Sequence, residues 1–260
     1  MITKKTITFN IGLNTPLHLY QISDTHMVYN DEVRDQEWLN GKIHFAKMFN
    51  EYVFDYYKNH SSIEIMNKII DDINKDHNDL VILSGDIIDY YNDDNQKLLN
   101  ETIKKINTKS LFIPGNHEKL DKNKEKKYLD KYNRYQKIDL GEIVVLGFDN
   151  GNKSFSGNDV KILKEELEKD KKILIVYHIP VMNNHNKKEL ENINEYFCID
   201  YEQADAKTKE FIDLMVNNKK IIGVLCGHFH GYHENSLSDY LKQFVASSGL
   251  IGYVNEIIIK

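Results

Sequence analysis

The stretch IIGVLCGHFH, residues 221–230, begins as an apolar strand would, stops at a glycine, and then places two histidines around a phenylalanine. A short apolar run bounded by glycine reads as a buried strand. Imidazoles are unusual at the end of such an element. Either His228 and His230 decorate a polar loop tip, or they form half of a metal site. Their separation by two positions favours the metal site. At an extended strand end both side chains project to one side while Phe229 points away.

The same construction recurs four times earlier in the chain. LHLYQIS (17–23) runs into Asp24-Thr25-His26, and DLVILS (79–84) into Gly85-Asp86-Ile87-Ile88-Asp89. SLFIP (110–114) runs into Gly115-Asn116-His117-Glu118, and KILIVY (172–177) into His178. Ligand sites of open α/β sheets gather at the carboxyl ends of strands, and each of these ends carries an oxygen or nitrogen ligand. Gly85, Gly115 and Gly227 allow a sharp turn after the strand and leave room for close approach of an ion or substrate. Asp86 has two carboxylate oxygens and can bridge two cations, while Asn116 offers a neutral amide oxygen. Asp, Asn and His ligands without a thiolate suit a pair of borderline divalent ions such as Mn, Fe, Zn, Co or Ni. One histidine at a strand end is most simply a hydrogen-bonded loop residue. Five of them with Asp and Asn partners are not.

Further strands are expected at TITFNIG (6–12), EIVVLGF (142–148), YLKQFVAS (240–247) and YVNEIIIK (253–260). Between the strands, Ile63, Met66, Ile69, Ile70 and Ile73 recur at helical spacing, as do Leu98, Leu99, Ile103 and Ile106. Residues 126–138, 159–170 and 206–218 are also read as helices. Strands alternating with helices indicate an α/β architecture with right-handed crossovers. With no repeat or low-complexity linker, residues 1–260 are read as one domain. The segment 27–61 is too long for a structureless loop and holds Trp38 among several Tyr and Phe. It is read as a helical insertion forming a lid or flank, with an added core helix as the alternative.

The 260 residues, 41% hydrophobic and 28% charged, suffice for a sizeable core. A net charge of -6 provides no electrostatic footprint for nucleic acid or an anionic membrane. No run approaches the roughly 18 apolar residues that a spanning helix needs. Cys198 and Cys226 are too few for a disulfide framework, and the N-terminus is a poor signal peptide, so a cytoplasmic protein is expected. Arg34 and Arg134 are the only arginines, which excludes a phosphate clamp of several bidentate guanidinium groups.

The ordered set D-x-H, G-D-x-x-D, G-N-H-E, H and G-H-x-H, from residue 24 to residue 230, resembles the calcineurin-like metallophosphoesterase superfamily. The resemblance implies a four-layer sandwich of two mostly mixed β-sheets flanked by α-helices, with a dinuclear metal site at the strand C-terminal ends. It implies that Asp24, His26, Asp86 and His230 hold one cation, and that Asp86 bridges to a second completed by Asn116, His178 and His228. His117 would lie beside the metals as general acid, with Asp89 accepting a hydrogen bond from its ring. The implied activity is hydrolysis of a phosphomonoester or phosphodiester, a small phosphorylated substrate, by a metal-bridging hydroxide. Two divalent ions, two carboxylates and a hydroxide leave a net positive charge, which draws an anion to an acidic protein.

Departures narrow the family. Its protein Ser/Thr phosphatases continue G-D-x-x-D with Arg-Gly, where this chain has Tyr90-Tyr91. Purple acid phosphatases place a metal-binding Tyr where this chain has Asp89. A nuclease of the same superfamily is the alternative, disfavoured by the acidic charge. A non-catalytic scaffold would be expected to lose His117 or several ligands. His18, His44, His60 and His77 fall outside the pattern and are read as surface or packing residues. His185 and His233 lie near ligand segments without an assigned role. Glu118 is read as an anchor of its turn, and Cys226 as core packing.

Overall fold

The computed structural model describes residues 2–29, 61–118, 135–191 and 197–260. Trp38 and nearly all of the 27–61 segment lie outside the described residues, as do Arg34, Arg134, His44 and His60. The strands, in chain order, are β1 (Thr3–Phe9), β2 (Leu17–Ile22), β3 (Leu80–Ser84), β4 (Ser110–Ile113), β5 (Tyr135–Asp139), β6 (Ile143–Phe148) and β7 (Lys172–Val176). They continue with β8 (Val181–Met182), β9 (Ile199–Asp200), β10 (Ile221–Cys226), β11 (His233–Ser236), β12 (Lys242–Val245) and β13 (Tyr253–Ile259). The helices are α1 (Ser62–Ile73), α2 (Asp93–Lys104), α3 (Gly157–Leu167), α4 (Lys187–Leu190) and α5 (Ala206–Val216).

Two mixed sheets result. The first has the order β1-β13-β2-β3-β4 and the second β11-β12-β10-β7-β6-β5, with β8 and β9 forming a separate pair. In the first sheet β2, β3 and β4 run parallel, and in the second β6, β7, β10 and β12 do. Alternate residues of each strand serve two different apolar layers, as the period of two requires. Leu19, Leu80, Ile82, Leu111 and Ile113 face Ile143, Val145, Leu174, Val176 and Leu225 in the layer between the sheets. Tyr20, Ile22, Val81, Leu83 and Phe112 face outward onto Ile65, Met66, Ile69 and Ile70 of α1 and Leu98 and Leu99 of α2. On the other side Val144, Leu146, Ile173, Ile175 and Val224 pack on Val160 and Leu163 of α3 and Phe211, Ile212 and Met215 of α5. The order is therefore helix, sheet, sheet, helix, a four-layer α/β sandwich.

Local chemistry starts the helices where the sequence indicates. Ser61 Oγ accepts from Glu64 N–H at 3.1 Å, and the Glu64 carboxylate accepts from Ser61 N–H at 3.3 Å. This reciprocal cap satisfies two donors that have no partner within the helix. Ser156 and Asp159 form the same device at the start of α3.

Two readings of the sequence fail here. The C-terminal part of the expected helix at 126–138 is strand β5, and residues 126–134 lie outside the described residues. Tyr135–Asp139 pairs antiparallel with Phe148–Val144 of β6, and this edge pairing overrides a local pattern compatible with helix. Strand β11 was not expected, because His233-Glu234-Asn235-Ser236 has no apolar residue and is specified by its ladder to β12. Among the described residues, no helix is long and apolar enough to cross a membrane.

Candidate metal centre

The five strands singled out in the sequence deliver their terminal residues to one place. The backbone route differs from the expected extended strand ends. Asp24 (φ 55°), His26 (φ 45°), Asp86 (φ 53°), His228 (φ 74°) and His230 (φ 58°) all occupy the left-handed region. Among the described residues, one other non-glycine residue, Lys153, has a positive φ. Residues held in sparsely populated conformations cost of order 1–3 kcal/mol each and persist only where the surroundings impose them. Here the surroundings are hydrogen bonds between ligand loops. Asp24 N–H donates to Gly85 O (3.0 Å), His26 N–H to Asp86 O (2.9 Å), and His228 N–H to Asp24 Oδ2 (3.0 Å). His228 and His230 face the site while Phe229 is buried in the outer apolar layer of the second sheet.

The glycines also act differently from expectation. A Cβ on Gly115 would lie 2.2 Å from Asp86 Oδ1, and one on Gly227 would lie 1.9 Å from Ser23 Oγ and 2.5 Å from Asp24 Oδ2. The space they leave is filled by the site's own side chains.

Three groups of ligand atoms converge, each within 4.8 Å of one another: Asp24, His26 and His230; His26, Asp86 and His117; and Asp86, His178 and His228. The first and third draw on both sheets. His26 Nε2 and His230 Nε2 are 2.9 Å apart, and His230 Nε2 lies 3.4 Å from Asp24 Oδ1. His178 Nε2 lies 3.1 Å from Asp86 Oδ2, and His117 Nε2 lies 4.0 Å from the same oxygen. Asn116 lies between Gly115, which abuts Asp86, and His117 of the second group, and its Oδ1 is buried.

Three of the rings are oriented through their other nitrogen. His26 Nδ1 contacts Asp89 Oδ1 at 2.9 Å, His178 Nδ1 contacts Ser84 O at 2.8 Å, and His117 Nδ1 contacts Asp89 O at 2.6 Å. Asp89 was expected to accept a hydrogen bond from the His117 ring, and it does so through its main chain rather than its carboxylate. That carboxylate lies closer to His26, and the main-chain carbonyl of Asp89 holds His117, whose Nδ1 is 3.4 Å from Oδ1.

Two further residues support the cluster. Glu118 is fully buried and accepts main-chain N–H bonds from Asp86 (2.9 Å), Ile87 (2.5 Å), Ile88 (3.0 Å) and Gly115 (2.7 Å). It thereby holds the turn that carries Asp86. Asn150, at the end of β6, was missed in the sequence. Its Oδ1 accepts from His178 N–H (3.0 Å) and Ile179 N–H (2.9 Å), and its Nδ2 donates to Ile179 O (2.7 Å). A pair of polar residues, Asp149 and Asn150, following an apolar strand was the available signal. Of the remaining histidines, His18 pairs with Glu256 at 3.0 Å, and His185 and His233 lie 4.0 and 3.9 Å from Asp239 and Glu189.

The electrostatics are those of a negative pocket. Burial would raise the Asp86 carboxyl, but His178, His117 and His26 hold it well below the usual range. Burial would lower His178, yet the Asp86 and Asp24 carboxylates lift it to about 10. His117 is likewise lifted to about 9 by Asp86 and Asp89 against its burial. Burial and the neighbouring His178 push His228 down to about 3. Glu118 rises to about 7 through burial and the nearby Asp86 charge. Buried carboxylates of this kind require positive charge beside them, from protons or from a cation.

No curated protein matches the chain by sequence. Among solved structures, a dimetal phosphatase from Danio rerio shares 10% identity at a TM-score of 0.56, with 90% of this chain and 88% of that one covered. A purple acid phosphatase from seeds of yellow lupin (Lupinus luteus) shares 13% identity at a TM-score of 0.56. That match covers 92% of this chain but 45% of the lupin chain, so this chain spans less than half its length. At such identity these likenesses concern the fold. The sequence model for the calcineurin-like phosphoesterase family matches residues 17–236, from the first residue of β2 to the last of β11, and takes in every ligand loop described above. The chain belongs to that family, whose members are hydrolases of phosphoester bonds.

Proposed function

We propose that this chain hydrolyses a small phosphomonoester or phosphodiester with two divalent cations, one held by Asp24, His26, Asp86 and His230 and the other by Asp86, Asn116, His178 and His228. The observation that carries the reading is the pair of Asp/His clusters drawn from both sheets, with Asp86 in one and beside the other. The residues present fit such ions. Asn116 Oδ1 is buried without a hydrogen-bond partner among the described residues, and the buried His178 Nε2 faces only the Asp86 carboxylate, at 3.1 Å; both belong to the donor set. Oxygen and imidazole donors without thiolate suit Mn, Fe, Zn, Co or Ni. When bound, the cations would lower the pKa of a water molecule and neutralise charge on the phosphoryl oxygens.

The chain's own residues supply the rest. Asp24 and Asp86 provide buried negative charge, and the contacts of Nδ1 with Asp89 in His26 and with Ser84 in His178 would leave Nε2 of each neutral ring free for a cation. The His117 side chain is more exposed than those of His230, His26 and His178, 38% against 20%, 1% and none. With Nδ1 committed to the Asp89 carbonyl, its Nε2 is the atom placed to give a proton to a leaving oxygen. Buried free Cys198 and Cys226 support a cytoplasmic location.

Reconstitution with Mn, Fe, Zn or Ni, followed by assay on an aryl monoester, an aryl diester, cyclic nucleotides and single-stranded DNA, tests the reading. Metal-dependent turnover of a monoester or diester is expected. Preference for DNA would move the assignment to a nuclease, and inactivity on the whole panel with two metals bound would overturn it.

A further inference from the structure

Gln21 is fully buried in β2, three residues before Asp24. Its amide is bonded to groups on three other strands. Nε2 donates to Ser84 Oγ at the end of β3 (2.9 Å) and to the Cys226 carbonyl at the end of β10 (2.9 Å). Oε1 accepts from Asn255 Nδ2 on β13 (2.9 Å). The Cys226 carbonyl also accepts Ala246 N–H at 2.8 Å, so it is fully engaged.

These partners stand at particular heights. Ser84 immediately precedes Gly85-Asp86, and Cys226 immediately precedes Gly227-His228. One side chain therefore ties together the bases of three ligand loops: its own, that of Asp86, and that of His228 and His230. β2, β3 and β13 belong to the first sheet and β10 to the second, so the bond to Cys226 crosses the largely apolar layer between them. Apolar packing is non-directional, whereas a hydrogen bond specifies distance and angle. The two cross-sheet clusters, Asp24/His26/His230 and Asp86/His178/His228, both depend on that spacing.

We propose that Gln21 is a positioning residue for the metal centre, setting the spacing of the two sheets at the height of the site and with it the separation of the two cations. The inference rests on the dinuclear reading above. It gives Gln21 a role that no ligand pattern assigns, since the residue touches neither metal nor substrate.

The test is Gln21→Met in the full chain, which keeps side-chain length and removes the amide. Mn(II) titration and the electron paramagnetic resonance spectrum of the loaded protein are the readouts, alongside thermal unfolding. The spectrum of a coupled Mn(II) pair reports the separation and bridging of the ions, which lost stability alone leaves unchanged. We expect Mn(II) affinity to fall by about tenfold or more and the coupling pattern to change. Ile69→Val, which loosens the outer layer under α1, is the matched control and should lower the unfolding temperature with a wild-type spectrum. Wild-type affinity and spectrum in Gln21→Met would overturn the inference. If Gln21→Met does not fold, Asn255→Ala removes the donor that orients the amide, and an unaltered spectrum there would overturn it equally. Failure of the unmodified chain to bind a coupled Mn(II) pair would sink the dinuclear reading together with this inference; a normal pair in both chains sinks this inference alone.

Discussion

At the scale of single residues, the site depends on which atom of each ring is committed elsewhere. His117 has Nδ1 on the Asp89 carbonyl and Nε2 at the open rim. Replacing it with Asn should slow hydrolysis of alkyl esters by about 10²-fold or more, the range of general acid catalysis, and spare aryl esters whose leaving groups need little protonation. Metal content by elemental analysis should be unchanged. Equal losses on both ester classes would place His117 elsewhere in the mechanism. Glu118 makes a different kind of contribution. Glu118→Ala leaves four main-chain N–H groups without their acceptor, and an unsatisfied buried donor costs about 1–3 kcal/mol. Urea unfolding should show a loss of at least that size, with Glu118→Gln in between. The candidate ligand residues were legible because each follows an apolar strand. Asp89's division between His26 and His117 was not, since it depends on the left-handed turn at Asp86.

At the scale of elements, α1 shows how local signals and packing agree. Met66, Ile69, Ile70 and Ile73, seen at helical spacing in the sequence, form the buried face together with Ile65, while Ile63 is only partly buried. Ile69→Ala should cost about 2–5 kcal/mol, the usual range for a fully buried aliphatic residue, measured by chemical denaturation. The loop after α1 carries Asp76, which accepts from Lys4 Nζ at 2.7 Å and Tyr20 Oη at 2.6 Å, joining α1 to β1 and β2. Lys4 and then Tyr20 hold the Asp76 carboxyl below its usual pKa. A lowered carboxyl stabilises the fold above its unfolded pKa, and that contribution is lost as pH falls through the folded value. Because the pair is exposed, Asp76→Asn should cost less than about 1 kcal/mol at pH 7. The difference from the parent chain should vanish in acid, and one that grew on acidification would contradict the linkage. β5 is the opposite case, for a segment read as helix became an edge strand once β6 offered a ladder.

At the scale of the molecule, the candidate centre is a joint between two sheets. Asp24, His26, Asp86, Asn116 and His117 arrive from the first sheet, and His178, His228 and His230 from the second. A ligand that binds only the assembled joint stabilises it by mass action, about 2.7 kcal/mol at a hundredfold excess over Kd. Mn(II) should therefore raise the unfolding temperature and a chelator should lower it, while Asp86→Asn should respond weakly to either in a thermal scan. An undiminished response in that variant would remove Asp86 from the site. The sequence by itself determined the α/β class, the strands that lead into the five loops, and the donor types those loops carry, because apolar periodicity and the residues just past each strand are local properties. Tertiary structure alone decided the left-handed turns that aim the donors, the burial of Glu118 beneath Asp86, the clamp of Asn150 on His178, and the reach of Gln21 across the inner layer. These contacts join residues far apart in the chain: pairing of adjacent strands brings Glu118 to Asp86 and Asn150 to His178, and the packing of one sheet on the other brings Gln21 to Cys226.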